Sequence, residues 1–307
     1  MKLRRPFFVS VEPAAVCQLH CPACPVGMRK DRLRLTEDGP QAVPADGVQT
    51  DRFMSRAVWQ RTLSEAAKTA YVMQFYFQGE PLLHKDLPAM IAEAHAAGLY
   101  TIVSTNAQAL TPQMAEALVR SGLNRIIVSM DGLTDESYGA YRIGGSLQQC
   151  IHALSYLRAA KEKYRNPFII ELQCLRLRTN EHEWDAFKRQ YKALGADRLT
   201  FKTAQLYDYQ DGHPLMPSDP RYNRYRKGTD GRYHRKARVP WCTRVWSGVV
   251  ITTTGEVLPC CYDKAHAYAY GNIMESPLAE LIRNDKARAF MRAAQRETPD
   301  ICKECWR

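Results

Sequence analysis

The chain has no apolar run approaching the roughly 20 residues that a membrane-spanning helix needs, so no membrane span is expected. It shows no secretory leader either. The basic start Met1-Lys2-Leu3-Arg4-Arg5-Pro6 runs into a stretch broken by Ser10, Glu12 and Pro13, too short and too polar for one. Disulfides are therefore not expected, and the protein is read as cytoplasmic, where thiols stay reduced. Acidic residues are in deficit, 32 against 43 Lys and Arg, a net charge of +11 that predisposes towards an anionic partner. No recognised RNA-binding module accompanies the charge, so nucleic acid is not the expected partner. There is no internal repeat and no low-complexity segment, and 45% hydrophobic residues suffice for a packed core.

Within that globular frame, strand-like runs alternate with helical patterns. The runs cover residues 7–11, 71–77, 100–105, 125–130, 168–175 and 198–203. Helical patterns lie between them at 55–70, 87–97, 111–120, 147–163 and 183–194. Gly98, Gly122 and Gly195 act as stops, and Thr111-Pro112 as a start. Such alternation implies right-handed βαβ units and a parallel sheet. Six units are too few to close an eight-stranded barrel. The expected fold is α/β, a partial TIM-like (β/α)6 barrel with its site at the strand C-terminal ends, plus a small cysteine-rich C-terminal α+β domain. The division is core 1–206, basic linker 207–240 and tail 241–307. Residues 28–50 read as an inserted loop rich in Gly and Pro. In the tail, 249–258 reads as a hairpin turning near Gly255 and 277–294 as one helix.

The ten cysteines are unevenly placed. Cys150 and Cys174 stand alone in periodic segments, where a buried thiol is the default. Cys17, Cys21 and Cys24 follow the first strand with C-x3-C-x2-C spacing, which puts three sulfurs on one loop facing a common centre. Three thiolates hold an iron–sulfur cubane with one iron left open; zinc with His20 as fourth ligand is the alternative. The triplet after a first strand resembles the signature of the radical S-adenosylmethionine (SAM) superfamily. The resemblance implies a 4Fe-4S cluster whose open iron chelates SAM. An external donor such as flavodoxin or ferredoxin reduces it, and SAM is cleaved to methionine and a hydrogen-abstracting 5'-deoxyadenosyl radical.

Several strand ends then gain meaning. Gln78-Gly79-Glu80 resembles the family's Gly-Gly-Glu motif for the SAM amino group, with Gln78 in place of the first glycine. Ser104 and Asn106 end the third strand, Ser129 and Asp131 the fourth, in positions that suit ribose hydroxyls. Arg142 is placed where the family often holds the SAM carboxylate, a group a guanidinium fits bidentately; without the resemblance it reads as a surface ion pair.

In the tail, Cys242, Cys260 and the pair Cys302-x2-Cys305 resemble the cysteine-rich SPASM extension or its shorter form, Twitch. The resemblance implies one auxiliary 4Fe-4S cluster on those four thiolates, as in an aminocyclitol-oxidising member of the superfamily; structural zinc is the alternative. Cys261, adjacent to Cys260, is structural, a substitute ligand, or a cavity thiol that returns hydrogen to a substrate radical.

The expected activity is radical SAM chemistry on a small substrate, carbohydrate-like or anionic, ending in oxidation. A peptide maturase, or an epimerase using Cys261, is the alternative within the family. A non-catalytic iron–sulfur electron carrier or cluster scaffold is the alternative outside it. The basic residues between Arg221 and Arg238 are expected near the mouth of the site.

Overall fold

The structure, a computed structural model, describes residues 6–28, 32–36, 39–43, 52–236, 242–296 and 299–303. Its strands, in chain order, are β1 (Phe8–Val11), β2 (Arg32–Thr36), β3 (Gly39–Val43), β4 (Val72–Phe75), β5 (Tyr100–Thr105), β6 (Arg125–Ser129), β7 (Ile169–Arg176), β8 (Arg198–Thr203), β9 (Tyr225–Lys227), β10 (Tyr233–Arg235), β11 (Gly248–Ile251), β12 (Glu256–Leu258) and β13 (Gly271–Asn272). The main sheet runs β13-β12-β11-β1-β4-β5-β6-β7-β8. Every neighbouring pair from β1 to β8 in that order is parallel. This is the expected open, partial barrel of six β/α units.

Helices α1 (Arg56–Ala66), α2 (Leu87–Ala96), α3 (Pro112–Arg120), α4 (Asp135–Gly139), α5 (Leu147–Lys163) and α6 (Trp184–Gln190) connect the parallel strands. Their starts are chemical. The hydroxyls of Ser55, Thr111 and Ser146 accept from the backbone N–H groups of Val58, Met114 and Gln149, each filling an otherwise orphaned donor. Gly98, Gly122 and Gly195 follow helical segments with φ between +79° and +97°, the left-handed turn that glycine takes without steric cost.

The period of two along the strands divides core from cavity. In β7, Ile170, Leu172 and Cys174 join the main hydrophobic core, while Gln173 and Leu175 face the concave side. In β8, Leu199 and Phe201 pack on that core and Lys202 points to the concave side. Cys150 and Cys174 are fully buried, as expected of lone thiols.

Four features depart from the sequence reading. Part of the insertion is a hairpin, β2 against β3, which the alternation Arg32-Leu33-Arg34-Leu35 signals but the flanking Gly and Pro residues obscured. The stretch read as linker carries a second hairpin, β9 against β10. The tail does not build a separate sheet: after the short helix α7 (Arg244–Ser247), β11 pairs in parallel with β1, Val9 opposite Val249. Gly248 permits this approach, because a Cβ there would sit 2.1 Å from the Phe8 ring. The single tail helix is two, α8 (Leu278–Leu281) and α9 (Asp285–Arg296), and α10 (Asp300–Lys303) follows. The break comes where the Asn284 side chain accepts from Ala287 N at 2.9 Å and starts a new helix.

Elsewhere the tail is fastened to the barrel. Arg61 donates to the Ile273 carbonyl and Glu65 accepts from Leu278 N, so α1 carries α8 and the turn before it. No described helix is long and apolar enough to cross a membrane.

Candidate active site

The cysteine loop leaves β1 at the C-terminal end of the sheet. It turns back on itself through Cys24 N to Cys21 O (3.1 Å) and Met28 N to Cys24 O (3.0 Å). Cys17, Cys21 and Cys24 line one cavity of about 410 Å³ with Gln78, Gly79, Glu80, Ser104, Asn106, Ser129 and Arg142. Residues from four strand ends, remote in sequence, thus meet where the parallel topology predicts.

Gly79 is required by packing. A Cβ there would lie 2.1 Å from the Ala14 carbonyl oxygen and 2.7 Å from Val16 N, both backbone atoms leading into the cysteine loop. Gly79→Ala is expected to cost about 1–3 kcal/mol by overpacking and to displace the loop. Thermal melting together with iron content after reconstitution checks this; an unchanged melt with full iron would show that the loop yields freely.

Glu80 is buried, and its two oxygens are engaged. Oε1 accepts from Thr105 Oγ1 (2.6 Å) and Leu82 N (3.0 Å), and Oε2 from Asn106 N (2.7 Å). Burial raises its pKa above the usual carboxylate range, against the pull of those donors. Glu80 therefore ties the ends of β4 and β5 together. Asn106 carries the tie onward: Oδ1 accepts from Gln18 Nε2 (3.1 Å) and Nδ2 donates to Cys17 Sγ (3.4 Å).

Arg142 is half-buried against Asp131 rather than part of a surface ion pair. Its Nε donates to Asp131 Oδ2 at 2.6 Å, and its Nη1 lies 3.9 Å from Cys21 Sγ. Burial opposes its charge, but Asp131 outweighs that and holds its pKa well above the ordinary value. Asp131 departs from the ribose role suggested by its strand end. It is fully buried behind Arg142 and off the cavity wall, with Oδ1 accepting from Leu175 N at 2.6 Å.

The thiols suit an iron–sulfur cluster. Burial pushes Cys17 up to about 12 and Cys21 up to about 11, so both stay protonated until metal displaces the proton. N–H groups of Leu19 and Asn106 already point at Cys17 sulfur, and Arg142 at Cys21 sulfur, the kind of N–H···S contact that tunes a cluster. The triplet lines a cavity instead of converging on a point, as suits a cubane, where each thiolate binds its own iron.

Among the tail residues, Cys242 is half-buried and packs with buried Cys302 on the main core. Cys260 is half-buried and accepts from Tyr262 N at 3.5 Å. Cys305 lies outside the described residues. Cys261 is half-buried and off the cavity wall, with Arg244 Nη1 3.3 Å from its sulfur.

The β9–β10 hairpin sits beside the cysteine loop. Tyr225 and Tyr209, stacked at 4.2 Å between ring centres, share a hydrophobic cluster with Leu19 and Cys21. None of the basic residues in the described part of that stretch lines the cavity. Sequence reasoning passed over Gln18, Tyr76, Gln173, Lys202 and Lys264, of which the last four line the cavity. A lysine at the inward-facing period of β8 was a usable signal for Lys202. Nothing local marks Lys264, which arrives from the tail.

Comparison with known proteins gives a family and a fold. The sequence profile described as Radical SAM superfamily matches residues 11–170, and the SPASM profile, an iron-sulfur cluster-binding domain, matches 242–306. The chain is similar to a PqqA peptide cyclase of Xanthomonas axonopodis pv. citri, 24% identical over 321 residues, 98% of this chain and 80% of that protein. It is also similar to a PqqA peptide cyclase of Rhodopseudomonas palustris, 28% identical over 215 residues. That match takes in 69% of this chain and about half (51%) of the relative. Among solved structures, anSMEcpe with bound AdoMet has a TM-score of 0.68 at 17% identity, covering 98% of this chain and 86% of that one. Streptococcus suis SuiB bound to precursor peptide SuiA has a TM-score of 0.65 at 13% identity, covering 98% and 71%. At these identities the structural likeness is one of fold.

Proposed function

The chain belongs to the radical SAM superfamily, and from that premise we propose that it modifies a peptide. It is a radical SAM enzyme whose cofactors are SAM and two 4Fe-4S clusters, one SAM-binding and one auxiliary. The observation that carries the peptide reading is the similarity to PqqA peptide cyclases along 98% of the chain. That match, along nearly the whole sequence, favours the peptide alternative over the expected small substrate.

The proposed roles follow the geometry. Cys17, Cys21 and Cys24 hold the SAM-binding cluster, and Cys242, Cys260, Cys302 and Cys305 the auxiliary one. Residues 1–206, 207–240 and 241–307 form core, connecting and auxiliary-cluster regions. When bound, the cluster and SAM supply a hydrogen-abstracting radical by reductive cleavage. Arg142, held by Asp131, presents a guanidinium for the SAM carboxylate. Ser104, Asn106 and Ser129 offer hydroxyl and amide groups on the cavity wall. Gln78 and Gly79 bring the β4 end against the cysteine loop, and Glu80 sets its spacing from β5.

The test is anaerobic incubation of reconstituted protein with SAM, dithionite and a randomised peptide library, against a parallel panel of sugars and aminocyclitols. The expected result is 5'-deoxyadenosine formation coupled to loss of two hydrogens from a peptide. Coupling to a sugar or aminocyclitol and to no peptide would overturn the peptide reading and restore the small-molecule one.

A further inference from the structure

We propose that Lys202 and Lys264 form a carboxylate-binding subsite that selects an acidic residue of the substrate, an inference that rests on the peptide reading above. The two lysines reach the same cavity from unrelated parts of the chain, Lys202 from β8 and Lys264 from the tail after β12. Neither ammonium makes a hydrogen bond or ion pair with a described residue; Lys264 Nζ lies over the Phe77 ring, 4.4 Å from its centre.

Thiols act on the two lysines, Cys261 on both and Cys24 and Cys260 on Lys264, while the nearby carboxylates are committed elsewhere or set back. Glu171, the acid nearest in influence to Lys202, is buried and paired with Arg125. Glu12, which acts on Lys264, is buried and off the cavity wall. Arg244 adds a further positive charge near Lys202 and donates to Cys261. Lys202 is exposed and Lys264 half-buried; partial burial lowers both pKa values, the direction that an incoming carboxylate reverses.

The position of Lys264 is fixed by the site itself, since Gln78 Nε2 donates to its backbone carbonyl at 3.1 Å. Gln78 therefore couples the β4 end to the tail. Two cations that line one cavity without an ion pair to a described residue make a site for an anionic group of the substrate. A glutamate or aspartate side chain provides that group in a peptide.

The experiment compares acetyl-Ala-Ala-Glu-Ala-Ala-amide with its Gln counterpart, each titrated calorimetrically into anaerobically reconstituted holoenzyme with SAM present. The Glu peptide is expected to bind about tenfold tighter or more, the scale of a charge-assisted hydrogen bond. That preference should shrink to about twofold or less in Lys202→Met with Lys264→Met, and in the unmodified protein on raising salt to about 0.5 M. Equal binding of the two peptides by the unmodified protein overturns the subsite and leaves the peptide reading standing. Undiminished preference in the double variant also overturns it. So does a matching loss of SAM affinity in that variant, which would assign the lysines to SAM. If neither peptide binds while an aminocyclitol does, the peptide reading falls and the subsite with it.

Discussion

Replacing Cys17, Cys21 and Cys24 together by alanine is expected to lower 5'-deoxyadenosine formation to background while leaving the tail iron in place. The three thiols share one loop and one cavity, and two of them are buried far enough to keep their protons until metal arrives. A cubane that loses its three protein thiolates has no remaining anchor at this site. The tail thiols are carried by other elements: Cys242 precedes α7, Cys260 follows β12, and Cys302 packs on the main core. Iron should therefore fall from roughly eight to roughly four per chain, with the melting profile of the barrel retained. Chromatographic assay for 5'-deoxyadenosine and iron analysis on the same preparation read both halves. Continued SAM cleavage in the triple variant sinks the assignment of this loop.

Asp131→Ala is expected to produce the largest loss of stability from a single side chain at the site, about 3–5 kcal/mol, the cost of leaving a buried charge without its partner. The Asp131 side chain is 0% exposed and that of Arg142 14% exposed. Asp131 accepts from Arg142 Nε and from Leu175 N, and its backbone carbonyl accepts from Asn180 Nδ2 at 2.8 Å. Its carboxylate thus joins the ends of β6 and β7 to the segment carrying Arg142. Removal strands the guanidinium next to Cys21 with nothing fixing its plane, so the apparent affinity for SAM should fall as well. Combining Asp131→Leu with Arg142→Met should recover much of the stability, because no unpaired buried charge remains, but none of the SAM affinity. Urea unfolding and SAM titration of the set separate the two effects. A single variant within about 1 kcal/mol of the parent would mean that Arg142 finds another partner or reaches water.

Much of the candidate site could be read from local order. The spacing of Cys17, Cys21 and Cys24 forces three sulfurs onto one loop. The alternation of runs and helical patterns placed that loop at the C-terminal edge of a parallel sheet, with Gln78-Gly79-Glu80, Ser104, Asn106 and Ser129 on neighbouring strand ends. These properties follow from covalent spacing and backbone periodicity, which act over a few residues and survive without knowledge of the partner.

Long-range pairing was invisible. Strand β11 adds in parallel to β1, 240 positions earlier in register, and no local pattern distinguishes that from a tail sheet standing alone. Asp131 was legible as a polar residue at a strand end and Arg142 through the family resemblance, yet only packing decides that one is buried behind the other. The same holds for Cys261, turned to Arg244 and off the cavity wall. The sequence by itself determined the family and the order of the barrel, because both are written in spacing and period. Only the tertiary structure decided what completes the cavity. Lys264 from the tail and Lys202 from the last barrel strand line one cavity because the tail folds back along α1 and β1, and contacts of that range depend on burial summed over the whole chain.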